Sequence, residues 1–279
     1  MKLPYADLHI HSYHSDGSLS PDEIVEAAVM SGVGVLAVAD HDVIEGNLET
    51  AALCKDHGIA CIPAVEIDVL DGQEPFHLLA YGFEPNDKEF RTFLSHIRFL
   101  LDESNVKLVE ALAKEYDSIS LPDYFDYTYD RKLGGWKALH YMVSKGITST
   151  LREGLPVYAQ YGITHAVSGT STLAAAVYRI KKAGGYAVLA HPAEMIDTAD
   201  LAAFRKEIER LISMGLDGIE CYYPKHTDEV TQICLDICVE KNLMVTAGSD
   251  CHGTFTGARI GAMDILVEKL ALRDLLCRA

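Results

Sequence analysis

Short runs of apolar residues, most of them carrying a histidine or carboxylate near their end, are separated by amphipathic stretches along most of this sequence. VGVLAVADHD is the sharpest of them. A strand that apolar must be covered on both faces, which is how parallel strands in α/β proteins are buried. YADLHIH, IACIPAVEID, PFHLLAYGF, GYAVLAHP, GLDGIECYY and LMVTAGSDCHG supply six further strands. Between them, Ser20-Pro21 opens a helix over DEIVEAAVMSG with Gly32 near its exit. Other helical stretches cover 45–57, 172–183 and 199–214. Seven parallel strands with helices outside predict an α/β fold, a closed or nearly closed (β/α) barrel. The competing doubly wound dinucleotide fold lacks any G-x-G-x-x-G after a strand.

The rhythm breaks after Gly82. Residues 86–116 read as helix, 122–130 as a Pro-, Asp- and Tyr-rich connection, and WKALHYMVSKG as helix again. The expected organisation is a barrel domain of 1–84 and 168–279, with 85–167 inserted as a mainly helical cap over its mouth. The formal charge of -17 argues against holding long nucleic-acid duplexes or anionic membranes by general attraction. A small anionic substrate stays open, because bound divalent ions reverse the local potential. The seven cysteines form no paired C-x₂-C unit; Cys234 and Cys238 read as neighbouring packed thiols. Their odd number and scatter fit a reducing compartment. With no signal-like segment and no apolar stretch of membrane-spanning length, the expectation is a cytoplasmic protein with no membrane contact and no required protein partner.

The chemistry is carried by position. His9, His11, His41, Glu66, His77, His191, Asp250 and His252 are each expected at or just beyond the C-terminal end of a strand, where parallel barrels build active sites. Packing alone does not explain so many ionisable groups there, because buried ones must be paired or bind metal. Alternation places His9 and His11 on one side with Ile10 turned away, and Asp250 and His252 repeat this around Cys251. Imidazole with carboxylate suits Zn²⁺, Mn²⁺ or Fe²⁺ better than Ca²⁺. So many candidate ligands imply two or three ions. Clustered metals commonly serve phosphoryl transfer, with hydroxide held by the metals as nucleophile and no covalent enzyme intermediate.

As a set, DLHIHSYHSDG, VADHD, the Glu66 strand, the His77 strand, AHP and GSDCHG resemble the PHP (polymerase and histidinol phosphatase) family. The resemblance spans about 1–82 and 170–261. It implies a distorted (β/α)₇ TIM-like barrel with a trinuclear centre. His9, His11, Glu66 and Asp250 would hold one metal, and Glu66 would bridge to a second completed by His77 and His191. Asp16, His41 and His252 would hold the third.

Other residues are candidates beyond the ligands. Asp40 and Asp42 flank His41 and either orient an imidazole or cap a turn. His14 is a candidate phosphate contact or proton donor to the leaving oxygen. Lys225 and His226 resemble a position that family members use near substrate phosphate. In the cap, Arg131, Lys132 and Trp136, with Lys137, offer phosphate and base contacts, and Trp136 serves equally as cap core. The resemblance extends to stand-alone members with a helical insertion: nucleotide phosphatases, 3',5'-bisphosphonucleotide phosphatases and enzymes that trim short RNA from the 5' end. Those acting on bisphosphonucleotides carry an Arg-Pro-His segment in the cap, where this chain reads DRKLGGWKALHYMVSKG. The leading expectation is therefore a phosphoesterase acting on monoesters of small nucleotides, a nucleoside monophosphate or a 3',5'-bisphosphonucleotide. The alternatives are a 5'-3' exonuclease on short oligonucleotides and a non-catalytic metal-dependent binding module.

Overall fold

A computed structural model describes residues 4–163 and 170–279. The expected junction at 167–168 and the first three residues lie outside them. The strands are β1 (Tyr5–Ile10), β2 (Val33–Val38), β3 (Ala60–Cys61), β4 (Ala64–Asp71), β5 (Glu74–Tyr81), β6 (Tyr186–Leu189), β7 (Gly218–Tyr222) and β8 (Met244–Ala247). They form two sheets, β1-β2-β3 and β4-β5-β6-β7-β8. Two bridges just past the strand ends join these sheets: Ile10 to Cys251 ties β1 to β8, and His41 to Glu66 ties β2 to β4. The ring that results is the distorted α/β barrel, with the two-residue β3 beside it.

The expectation of seven parallel strands is corrected by β5. It runs antiparallel to both β4 and β6, because β4 and β5 form a hairpin in direct register from Ala64–Tyr81 to Asp71–Glu74. Asp71-Gly72 at its tip, with Gly72 at φ 64°, is the turn signal that announces a hairpin rather than a crossover. Nor are Glu66 and His77 at strand ends: Glu66 lies near the start of β4 and His77 mid-way along β5.

Around the barrel, helices α1 (Pro21–Ser31), α2 (Glu45–His57), α7 (Leu173–Lys182), α8 (Leu201–Ile212) and α9 (Asp228–Lys241) cover the outer faces. Helix α1 starts as the sequence predicts: Ser20 and Glu23 form a reciprocal capping box ahead of Pro21, and Gly32 ends it in the left-handed region. Strand alternation separates two cores. Val65, Ile67, Leu78, Ala80 and Leu189 face the helices. Val35, Ala37, Ala39, Leu79, Tyr81 and Val188 fill the interior.

The inserted segment contains α3 (Lys88–Leu112), α4 (Leu121–Asp126), a 3₁₀ turn at Arg131–Leu133, α5 (Lys137–Ser144) and α6 (Leu151–Gln160). Part of the expected 122–130 connection is thus α4, capped by Ser120. The first half of α3 packs on the barrel's outer core through Phe90, Leu94 and Ile97. Its second half joins a separate cap core of Leu108, Leu112, Leu139, Tyr141 and Met142. Among the described residues no helix is long and apolar enough to cross a membrane.

Candidate metal centre

On β2, β4 and β5 the interior face reads apolar at the bottom and ionisable at the top. On β4 the row is Ala64, Glu66, Asp68. On β2 it is Val35, Ala37, Ala39, continuing to His41. On β5, which runs the other way, it is Tyr81, Leu79, His77. Antiparallel pairing sets His77 opposite Asp68, which is why a mid-strand histidine reaches the same mouth. In β1 a register shift between Asp7 and Ile10 turns both His9 and His11 inward. Asp42, His191 and Asp250 adopt positive φ (56°, 25° and 52°), a costly backbone for residues other than glycine that concentrates at functional turns.

These devices converge on Glu66, which is buried. Its Oε2 lies 3.1 Å from both His9 Nε2 and His11 Nε2, which are themselves 3.1 Å apart. Asp250 Oδ1 is 3.5 and 3.2 Å from the same two nitrogens. The other oxygen, Oε1, is 3.0 Å from His77 Nδ1 and 2.9 Å from His191 Nε2. Across the mouth, Asp16 Oδ1 lies 3.4 Å from His252 Nε2 and 3.6 Å from His11 Nδ1. Two imidazole nitrogens cannot satisfy each other at 3.1 Å without a shared proton or cation. Ligands about 2.1 Å from one ion stand roughly 3 to 3.5 Å from each other, which is this spacing. Three groups of ligand atoms are close enough to share an ion: His9-His11-Glu66-Asp250, His11-Asp16-His41-His252, and His41-Glu66-His77. These clusters have the donor set and spacing for two or three divalent ions.

The electrostatics agree. Burial opposes charge on His9, yet the carboxylates of Glu66, Glu220 and Asp250 hold it well above the ordinary imidazole range. Burial likewise opposes charge on His252, while Asp16 and Asp250 carry it to about 9. Burial would push Glu66 up, but His9, His41 and His77 hold it well below the ordinary carboxylate range. Without ions, protons on the imidazoles take over charge compensation that a cation would supply.

Two carboxylates that the motif omits complete the arrangement. Glu220 on β7 is fully buried; Oε1 accepts from His9 Nδ1 at 3.0 Å and Oε2 from the His191 backbone N–H at 2.8 Å. Gly248 makes this possible, since a Cβ there would stand 2.1 Å from His9 Cβ and 2.5 Å from Glu220 Oε1. Asp68 Oδ1 lies 3.2 Å from His41 Nδ1 and 3.3 Å from His77 Nε2. For Asp68, two residues along from Glu66 and facing His77 across the hairpin, strand phase was the signal available in the sequence; Glu220 had none. Tyr223 donates its hydroxyl to Asp250 Oδ2 at 3.0 Å.

The remaining candidates divide. Asp40 accepts from Ser12 N, Ser12 Oγ and Ser15 Oγ, so it holds the loop after β1. Asp42 accepts the Asp68 N–H at 3.4 Å; burial and the Asp68 charge raise its carboxyl well above the usual range. His14 pairs with Glu49 at 3.1 Å, outside the three groups. Lys225 is paired with Glu194. His226 Nδ1 faces the Cys221 carbonyl at 3.0 Å, its Nε2 is buried without a partner, and burial lowers its pKa. Arg131 donates to the Tyr13 and His14 carbonyls, and Lys132 pairs with Glu23 at 2.8 Å. Both cap cations therefore latch the cap to the β1 loop and α1. Lys137 donates to the Phe125 carbonyl within the cap. Trp136 packs partly against the cap core, 5.9 Å from the His41 ring, with the Arg98 guanidinium 4.7 Å over its own ring. Sequence reasoning missed Arg98, which is one amphipathic-helix cation among many.

Beside these candidate ligands lies a pocket of about 480 Å³, lined by His41, Asp68 and His77 from the strands and by Asn105, Trp136 and Tyr158 from the helical segment.

The family model that matches is the PHP domain, over residues 7–148. The chain is 30% identical over 250 residues to a 5'-3' exoribonuclease of Haemophilus influenzae, covering 88% of this chain and 89% of that one. It is 29% identical over 264 residues to a 3',5'-nucleoside bisphosphate phosphatase of Chromobacterium violaceum, covering 91% and 89%. A solved structure from Bifidobacterium adolescentis, assigned as a metal-dependent phosphoesterase, superposes with a TM-score of 0.80 at 24% identity, over 99% of this chain and 96% of that one, which shows the fold.

Proposed function

The chain belongs to the PHP domain family, and from that premise we propose that it is a metal-dependent phosphoesterase hydrolysing monoesters of small nucleotides. The observation that carries this reading is the clustering of three ligand groups, two of them sharing Glu66, beside a pocket lined by His41 and His77. His9, His11, Glu66 and Asp250 would hold one ion, Glu66, His77 and His191 a second, and Asp16, His41 and His252 a third. Mn²⁺, Fe²⁺ or Zn²⁺ suits these donors. Bound there, such ions polarise the phosphoryl group, stabilise its developing charge and favour ionised water at neutral pH.

The chain's own residues bind and orient. His226 donates Nδ1–H to the Cys221 carbonyl and so keeps a bare Nε2, suited to accepting a proton rather than giving one. Lys225 and His14, each beside a carboxylate, would have to exchange that partner to act on substrate. The pocket falls within the size of small-molecule sites, about 300–1,000 Å³. Its walls include Trp136 and the Tyr158–Asn105 hydrogen-bonded pair, and its lining includes no Lys or Arg among the described residues. Trp136 would offer the base of a nucleoside monophosphate an aromatic face. The burial of six of the seven free cysteines fits a reducing, cytoplasmic setting.

The second reading, a 5'-3' exonuclease on short RNA, is favoured by the Haemophilus influenzae relative. The test is phosphate or nucleotide release by Mn²⁺-loaded protein. The panel holds nucleoside monophosphates, 3',5'-bisphosphonucleotides and 5'-phosphorylated oligonucleotides of graded length. Turnover falling steeply with length is expected. Stepwise release of mononucleotides from oligomers, faster than dephosphorylation of any monomer, overturns the first reading in favour of the second.

A further inference from the structure

We propose that Asp68 is a positioning residue that couples two ion sites, by fixing with one carboxylate oxygen the imidazoles of His41 and His77. The inference rests on the metal-centre reading above. Asp68 stands two residues beyond Glu66 on the interior face of β4 and directly opposite His77 in the hairpin register. Its Oδ1 lies 3.2 Å from His41 Nδ1 and 3.3 Å from His77 Nε2. In each ring that is the nitrogen not turned toward Glu66. His41 presents Nε2 to Glu66 Oε2 at 3.4 Å, and His77 presents Nδ1 to Glu66 Oε1 at 3.0 Å.

An ionised carboxylate only accepts hydrogen bonds. At these ion-pair distances an anionic Asp68 would favour the proton on His41 Nδ1 and on His77 Nε2, which would leave the opposite nitrogen of each ring as a lone pair for an ion. A hydrogen-bonded carboxylate on the far side of a ligating imidazole sets tautomer and ring angle, and its loss typically lowers metal affinity about 10–100-fold. Such a carboxylate commonly serves one histidine. Here one oxygen serves two: both belong to the His41-Glu66-His77 group, and His41 belongs as well to the group of His11, Asp16 and His252. Removing Asp68 therefore weakens two sites together and spares the His9-His11-Asp250 side, whose rings it does not touch.

The experiment uses the full chain stripped of metal, as wild type, Asp68→Asn, Asp68→Ser and Asp16→Asn. Mn²⁺ titration calorimetry is read beside bound-metal stoichiometry after gel filtration. Asn offers one acceptor where two N–H groups point, and its NH₂ favours the wrong tautomer; Ser removes the anion without bulk. Running both keeps a folded variant available. The expected result is one tight ion retained in both Asp68 variants and the others weakened together about 10–100-fold. Asp16→Asn, which removes a ligand from one group only, should weaken a single ion. Wild-type affinity and stoichiometry in the Asp68 variants, or loss of only one ion, overturns the coupling while leaving the centre intact. A wild-type protein that takes up no Mn²⁺ or Zn²⁺ overturns the centre and the coupling with it.

Discussion

Exchanging Glu220 for Gln removes one charge and almost no volume from a position with no solvent access. Glu220 offers two acceptors to two donors, His9 Nδ1 at 3.0 Å and the His191 N–H at 2.8 Å. An amide offers one acceptor and one donor, so neither placement works. With its oxygen toward His9, the NH₂ faces the His191 N–H and leaves it buried and unmet, at a cost of about 1–3 kcal/mol. With its oxygen toward His191, the NH₂ faces His9 Nδ1, moves the ring proton to Nε2, and removes the lone pair turned toward Glu66 and Asp250. A lost partner of this kind lowers metal affinity about 10–100-fold, roughly 1.4–2.7 kcal/mol. In EDTA the melting temperature should drop by about 2–4 °C per kcal/mol in a chain of this size. Calorimetric Mn²⁺ titration and the metal-free melt measure the two effects separately. At limiting Mn²⁺, turnover of a nucleoside monophosphate should fall with the affinity and recover in excess Mn²⁺. A Glu220→Gln protein matching wild type in Mn²⁺ affinity and metal-free melting temperature would refute the tautomer argument.

Asp250→Ala and His191→Ala should each greatly lower turnover while the protein still melts cooperatively; near-wild-type turnover at saturating Mn²⁺ would sink the ligand assignment. In the metal-free protein, the His252 pKa of about 9, raised from 6.5 by Asp16 and Asp250 against the opposing effect of burial, stabilises the fold fully below pH 6.5. That contribution is lost as pH rises through 9, so the melting temperature in EDTA should decline across this window. Mn²⁺ affinity should move the opposite way, with protons released on binding, as titration in buffers of different ionisation enthalpy would detect. Trp136→Ala should raise KM for a nucleoside monophosphate about tenfold with little change toward p-nitrophenyl phosphate, and an equal effect on both would assign Trp136 to the cap core alone. Arg131→Ala, which releases only the Tyr13 and His14 carbonyls, should lower the melting temperature slightly and leave substrate preference unchanged.

How far this site could be read from the sequence depended on whether each residue's geometry is local. His9 and His11 are two apart, and Asp250 and His252 are two apart around Cys251, so spacing alone shows which side chains travel together. Ser20, Pro21, Glu23 and Gly32 bound α1 for the same reason: each acts within a few residues of its own backbone. The direction of β5 is not local in that sense. PFHLLAYGF suits a strand of either direction, and only the Asp71-Gly72 turn at the far end of β4 decides between hairpin and crossover. Glu220 and Asp68 were hidden for a different reason. Glu220 lies 211 positions from His9, and nothing in GIECY distinguishes a carboxylate aimed into the barrel from one at the surface until the ring of strands is closed. Arg131 and Lys132 show the converse. In the sequence they are cations near a phosphate-handling motif, but folding gives them nearer partners in the β1 loop and Glu23. A ligand motif therefore identifies the atoms that face an ion, while the groups that orient those atoms come from strands that only closure of the barrel brings together.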